Sequence, residues 1–463
     1  MPRLVDVSVR GLLGQFDHHI KFPEDWDFAI LYGPNGVGKT KILELIEAVV
    51  KQQFVRLARI PFESARLEFD DGVALSVKIQ NEAAPGGAGF KRQRKWPHFS
   101  LKFPRRKAIS WNATAESSRS LQARLRQIRD MGAPIMRVAP GIWRDIRSSG
   151  LMTDEDVIRT FDEFNFVPVG YELHERQGTY EPKRPTAEVV EFLNKIQVYL
   201  IETQRLLNLS DRTATAPERS RDDNKPTVVE FANDLARRLR EAMTENSRVS
   251  QRLDRAFPRR VLEEARKREP VTEERIRLRF VEQSALREEL AEIAVLDAAP
   301  EVELPTRKLD RWERFFLWRY LEDTEEKLAT FRQILDRTRL FRDIVNSRFL
   351  YKKISIDRDH GFRFTTDSGR EVLPTELSSG EQHELVLTYN LLFKVESGSL
   401  VLIDEPEISL HVAWQQDYIN DIRQISKVVD LRFIVATHSP QIIHHWWEHA
   451  IELAPFPPES VEK

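Results

Sequence analysis

Gly33-Pro34-Asn35-Gly36-Val37-Gly38-Lys39-Thr40 reads G-x-x-x-x-G-K-T, a spacing that suits phosphate. Its glycines let the backbone curl until several N–H groups point inward at phosphate oxygens. An ammonium at Lys39 reaches the terminal phosphates, and the hydroxyl at Thr40 ligates Mg²⁺. Four further stretches carry residues able to act on a bound phosphate. They are Gln204 in Ile201-Glu202-Thr203-Gln204-Arg205-Leu206, the segment Leu377-Ser378-Ser379-Gly380-Glu381-Gln382, the pair Asp404-Glu405, and His438. A carboxylate ending an apolar run can take a proton from water, and serines opening a helix offer hydroxyls and free N–H groups.

The flanking patterns say which elements hold these residues. Asp27–Tyr32 is a short apolar run that reads as a strand, and Ile42, Leu43, Ile46, Val49, Val50 and Phe54 follow at helical spacing. Strand, glycine loop and helix are the context the phosphate loop needs. Leu4–Arg10 reads as an earlier strand, followed by a loop through Phe16, His18 and His19 from which an aromatic or basic group can cover a base. Asp71-Gly72 marks a hairpin between two alternating strands, with His98–Phe103 as a third. Thr153 and Asp156 look like the cap of a helix starting near Leu151. Gln197–Ile201 reads as a strand and 207–226 as a surface linker.

Helical patterns then dominate. Val228, Val229, Phe231, Ala232, Leu235, Leu239 and Met243 form one stripe, 259–294 is dense in Arg and Glu, and 308–349 reads as one long helix. At about 1.5 Å per residue, a helix of about forty residues reaches roughly 60 Å. That permits a short antiparallel arm. Asp359-His360-Gly361 marks another hairpin. Leu400–Ile403 and Phe433–Ala436 are continuous apolar runs, as parallel strands buried on both faces should be. A helix carrying Trp414, Tyr418, Ile422 and Ile425 joins them. Strands alternating with helices imply a doubly wound sheet with its ligand at the strand C-termini.

Composition bounds the rest. The chain has 463 residues, a net charge of −2 and no cysteine, which excludes disulfides, zinc–cysteine sites and iron–sulfur clusters. No apolar run of membrane-spanning length and no signal peptide is read, so the expected location is the cytoplasm. With the overall charge near zero, any pull on nucleic acid must be local. Residues 91–107 hold Lys91, Arg92, Arg94, Lys95, Lys102, Arg105, Arg106 and Lys107 with no acidic residue. They read either as a docking site for nucleic acid or an acidic protein, or as a solvated charge run at a loop edge.

The stretches GPNGVGKT, IETQRL, LSSGEQ, LVLIDEP and VATHSP, in that order, resemble the ABC-type ATPase head of the RecF/SMC/OLD branch. The resemblance covers both ends of the chain and hardly the middle. It implies an α/β fold, a doubly wound, mainly parallel sheet with an antiparallel subdomain and an α-helical insertion. The head would occupy 1–186 and 351–463, with the insertion at 187–350. It implies ATP and Mg²⁺ as ligands, with Gly33 to Thr40 on the phosphates and Thr40, Asp404 and Gln204 around the metal. Glu405 would act as general base, His438 would donate to the γ-phosphate, and Gln204 would contact the metal or the water.

In this family Ser378, Ser379, Gly380 and Glu381 meet ATP held by a second subunit, so a homodimer or higher homo-oligomer is implied, with His411 at the interface. Ser379 stands where the family usually has a second glycine. With no TOPRIM nuclease after His438, the chain looks most like the stand-alone ATPase of the PARIS anti-phage system. That resemblance implies a separate TOPRIM-type nuclease or toxin effector and an acidic, DNA-mimicking phage trigger, for which 91–107 is the candidate contact. The alternatives are a RecF-like repair ATPase that clamps DNA on dimerising, and a scaffold that binds ATP without turnover, against which Glu405 argues.

Overall fold

The computed structural model describes residues 2–23, 26–82, 94–112, 135–139, 142–145, 151–153, 185–202, 227–264, 271–293, 303–408 and 410–453, with Leu125, Arg129, Val157, Val295 and Leu296. The chain forms two compact units. One comprises Met1–Trp26, Leu31–Leu200 and Ile451–Lys463; the other comprises Asp27–Ile30 and Ile201–Ala450.

The first unit is built on a six-stranded antiparallel sheet. Its order is Phe16–Lys21, Leu4–Leu12, Ser64–Phe69, Ala74–Glu82, Arg94–Lys102, Ile109–Asn112. The Asp71-Gly72 hairpin forms, with Gly72 at φ 75°, and the expected third strand pairs with the second, Val77 opposite Phe99. Alternation buries one face: Leu67, Leu75, Val77, Phe99 and Leu101 are inaccessible or nearly so. Phe99 stacks on Trp111 at 5.4 Å and meets Phe54 edge-on. Phe54 is half-buried against this face, but not part of the first helix, which ends at Val50. A turn with Gln52 at φ 52° separates the two, and Phe54 opens a second short helix to Arg59. The loop expected around Phe16, His18 and His19 is instead an edge strand, because His18 points inward and is satisfied there. Leu151–Thr153 is a strand paired with Ile142–Asp145; of the capped helix expected there, Asp156 lies outside the described residues and Val157 is helical.

The expected α/β class is present. A five-stranded sheet has the order Val198–Glu202, Leu400–Asp404, Arg432–Ala436, Phe28–Tyr32, Ala450–Glu452. In the second unit Leu400–Asp404 and Arg432–Ala436 pair in parallel, Asp404 beside Ala436. Their residues Val401 to Ile403 and Phe433 to Ala436 are fully buried, as strands covered on both faces must be. Phe433 N–H donates to the Asp27 carbonyl at 3.0 Å.

Helices Thr227–Glu264, Glu273–Glu292, Arg311–Ala329 and Arg332–Arg348 follow one another in this unit. The first packs beside the third through Arg260–Asp323 and Lys327–Asp254 ion pairs, both 2.7 Å. The second packs beside the third through Gln283 Nε2, which donates to the Leu321 carbonyl. The third helix thus packs against both the first and the second. The single helix expected over 308–349 is two. At the break the Thr330 hydroxyl turns back to the Lys327 carbonyl, Asn246 Nδ2 reaches both, and Phe331 drops into the core at 1% exposure. The helix expected around Trp414 is also broken, into Val412–Gln415 and Tyr418–Val429.

Candidate active site

In the first unit the strand ending at Tyr32 runs straight into the loop. Gly36 and Gly38 lie at φ 85° and 97°, the left-handed region that side chains disfavour. A Cβ on Gly38 would lie 2.6 Å from Leu12 Cδ2, whereas one on Gly36 would meet nothing within 4 Å. The loop rim (Pro34, Asn35, Gly36) is exposed and its floor (Val37, Gly38, Lys39) is buried. Gly38 starts helix Lys39–Val50, its carbonyl accepting from Ile42 N–H at 2.9 Å, and no side chain caps that end. The positive end of the helix dipole therefore sits at the loop. Lys39 Nζ donates to the Gly33 and Pro34 carbonyls at 2.9 and 3.1 Å, which folds the ammonium over the loop. Left-handed glycines, a helix N-terminus and an ammonium form a donor set that fits a phosphate chain, and the clear space at Gly36 leaves its mouth open. Thr40 lies half-buried in the first turn.

His18 has a role that the sequence does not disclose. Its Nε2 lies 2.8 Å from the Val37 carbonyl, and the ring is buried, so it braces the loop from behind rather than covering a base. His19 is exposed and pairs with Asp6 at 2.6 Å.

In the second unit the two parallel strands end side by side, and each delivers one reactive group. Glu405 follows Asp404 at φ 46°, an uncommon conformation for a residue with a side chain, worth of order 1–3 kcal/mol of strain. Its N–H donates to the Ala436 carbonyl at 2.8 Å, which fixes the turn. His438, two residues beyond Ala436, places Nε2 at 3.8 Å from Glu405 Oε1, with both side chains about a third exposed. A carboxylate and an imidazole at that range can share the handling of a proton. Asp404 is half-buried at its strand end. Among the described residues no group of three or more His, Asp or Glu forms a metal cage.

The Leu377–Gln382 segment also belongs to the second unit. Ser378 caps helix Ser379–Tyr389 in a reciprocal box with Glu381. Lys352 Nζ adds bonds of 2.7 and 2.8 Å to the Glu381 carboxylate. Burial pushes that carboxyl up, but the bonds from Lys352 and from the Ser378 N–H and hydroxyl outweigh it and hold it below its ordinary range. Glu381 thus spends its charge inside the protein. Ser378 and Ser379 are exposed, and Gly380 has open space where a Cβ would stand.

The second unit brings Glu405 and His438 together at the ends of adjacent strands. Gln204 lies outside the described residues. His411 is exposed, and its Nδ1 accepts from Ala413 N–H. Of the basic segment, Lys91 and Arg92 lie outside the described residues, Arg94 begins a strand, and Arg106 pairs with Glu188 at 2.7 Å. The residue that sequence reasoning missed is Glu407, whose carboxylate accepts from the His438 N–H. Its only sequence signal is its place two residues after Glu405.

A family model described as "AAA domain, putative AbiEii toxin, Type IV TA system" matches residues 169–444. The chain belongs to this AAA-domain family. The matched stretch contains Ser378, Asp404, Glu405 and His438, while the phosphate loop precedes it. Among curated proteins, "Retron Ec83 probable ATPase" of Escherichia coli is 39% identical over 59 residues, 13% of this chain and 10% of that protein. The match therefore spans about a tenth of the relative's length. Among solved structures, the Smc head domain of Pyrococcus furiosus with an extended coiled coil, bound to the C-terminal domain of ScpA, is 12% identical. It covers 98% of this chain and 93% of that one at a TM-score of 0.34. The SMC head domain from Thermotoga maritima is 10% identical over 97% and 92%, at 0.32. No helix among the described residues is long and apolar enough to cross a membrane.

Proposed function

We propose that this chain binds ATP through Gly33–Thr40 and hydrolyses it, with Glu405 as general base. The observation that carries the proposal is the phosphate loop, in which two left-handed glycines and a folded-over Lys39 ammonium lie at an uncapped helix N-terminus. Thr40, Asp404 and Gln204 are the oxygen donors offered to Mg²⁺, which supplies positive charge to the phosphates when bound. Glu405 takes a proton from the attacking water, a contribution of about 10²- to 10⁴-fold. His438 donates to a terminal phosphate oxygen. The Glu405→Gln variant should keep ATP binding and lose turnover; a variant that hydrolyses at the wild-type rate refutes the base assignment.

The exposed Ser378 turn supports a second element of the reading. Ser378 and Ser379 are exposed at this turn, where the resemblance to ABC-type heads puts the phosphate held by a twin subunit. Two copies would then complete each other's pockets, ATP would bind them together and hydrolysis would release them.

A place in anti-phage defence is supported by the toxin in the matched family's description and by the retron relative. We read the chain as a sensor that controls a separate TOPRIM-type nuclease or toxin in response to an acidic, DNA-mimicking phage protein. Co-purification with the neighbouring gene product, and its release by a DNA-mimic protein, is the test. Absence of any stable partner would refute this role without touching the ATPase reading.

A further inference from the structure

Glu405 and Glu407 flank Pro406 and face different tasks. While Glu405 reaches toward the His438 imidazole, Glu407 grips the backbone beneath it. Its Oε1 accepts from the His438 N–H at 2.7 Å and its Oε2 from the Thr437 hydroxyl at 2.8 Å. Thr437 is wholly buried, and its Oγ1 accepts in turn from Ser439 N–H at 2.9 Å. The Ser439 hydroxyl donates to Gln415 Oε1 at 2.8 Å, and Gln415 Nε2 points back at the Glu407 and Leu410 carbonyls at 3.4 Å each. The lacing is closed. Three consecutive residues after one strand are each tied to the segment that follows Glu405 on the next.

We propose that Glu407 is the positioning residue for His438: it holds the imidazole at its working distance from Glu405 by fixing the main chain of Thr437-His438-Ser439. The inference rests on the ATPase reading for its kinetic consequence, and on the bonds above for its structural one. Glu407 acts on the His438 backbone and on its neighbour Thr437, not on the imidazole. A hydrogen bond to a carboxylate is about twice as strong as a neutral one, and two of them, from the His438 N–H and the Thr437 hydroxyl, leave the loop little freedom. In-line chemistry is sensitive to such freedom, since a displacement of about 1 Å can cost about a hundredfold in rate.

The test is a double-mutant cycle on the full chain. Glu407→Ala should lower kcat for ATP by about ten- to a hundredfold with KM changed less than about twofold, whereas in a His438→Ala background the same change should cost less than about twofold. Glu407→Gln, whose amide oxygen can still accept from His438 N–H, should retain most of the activity. Hydrogen exchange at the His438 amide gives the readout independent of nucleotide: it should quicken in Glu407→Ala and stay slow in Glu407→Gln. Thr437→Val, which removes one arm of the lacing and keeps its shape, should quicken that exchange as well and serves if Glu407→Ala does not fold. Equal kinetic cost in both backgrounds, or unchanged exchange in Glu407→Ala and Thr437→Val, overturns the proposal. A wild-type chain with no ATP turnover would refute the ATPase reading, and the exchange data would still decide whether Glu407 holds His438.

Discussion

Helix Ser379–Tyr389 buries two adjacent ionisable groups, and they should bend the pH–stability profile in opposite directions. Glu384 is 4% exposed; its Oε1 accepts weakly from the Thr388 hydroxyl at 3.4 Å and its Oε2 has no partner. Burial, with Asp421 adding and Arg348 opposing, pushes its carboxyl from 4.5 up to about 7. His383, equally buried with Nε2 unpartnered, is pushed by burial from 6.5 down to about 4. The folded chain holds the Glu384 proton between pH 4.5 and 7, where the unfolded chain has lost it, so that contribution to stability disappears as pH rises across the window. For His383 the unfolded chain binds the proton first, so stability disappears as pH falls from 6.5 toward 4. At about 1.4 kcal/mol per tenfold change, each effect is worth about 3 kcal/mol. In the wild type they nearly cancel between about pH 4.5 and 6.5. Glu384→Gln should unmask the histidine: relative to wild type, its stability rises by about 3 kcal/mol as pH goes from 4.5 to 7. His383→Leu should unmask the carboxyl and fall by a similar amount. Urea unfolding at half-unit pH steps reads both. A Glu384→Gln difference that stays constant with pH would show that Glu384 titrates as an exposed carboxyl does and would refute the reasoning.

The two loop glycines should respond unequally. Gly38→Ala, with a left-handed φ and Leu12 in the way, should abolish ATP binding measured by fluorescent-nucleotide titration, while Gly36→Ala, strained but unobstructed, should weaken it by about 1 kcal/mol, or several-fold. Reversing the charge of Arg94, Lys95 and Arg105 together should weaken capture of an acidic trigger protein in a pull-down at low salt and leave ATP turnover intact; unchanged capture removes the basic segment from the contact.

The sequence discloses what local backbone chemistry dictates. The Asp71-Gly72 and Asp359-His360-Gly361 hairpins, the buried runs at 400–403 and 433–436, and the phosphate loop all rest on glycine conformation or on simple periodicity. Each leaves a local signal in the sequence, whatever distant residues later pack against it. The breaks at Thr330 and Gln416 escape notice because remote partners help to make them: Asn246 reaches the first turn, and Arg348 lies 3.5 Å from Asp417 at the second. Edge strand Phe16–Lys21 hides its inward residue as a histidine, polar to any alternation count but satisfied by the Val37 carbonyl. At the candidate site Asp404, Glu405 and His438 are legible because each ends an apolar strand. Glu407 is not, because its importance depends on which segment lies beside it once the strands have paired.

The central claim is that two chains share each nucleotide pocket, and mixing tests it most directly. Lys39→Ala removes the loop's cation and Ser378→Arg blocks the outward-facing turn, so each variant alone should be inactive. In a mixed dimer one pocket carries both defects and the other carries neither. Mixing the two inactive variants should therefore restore up to half of the wild-type ATP turnover of that dimer. A mixture as inactive as its components, or full turnover by Ser378→Arg alone, would contradict the account.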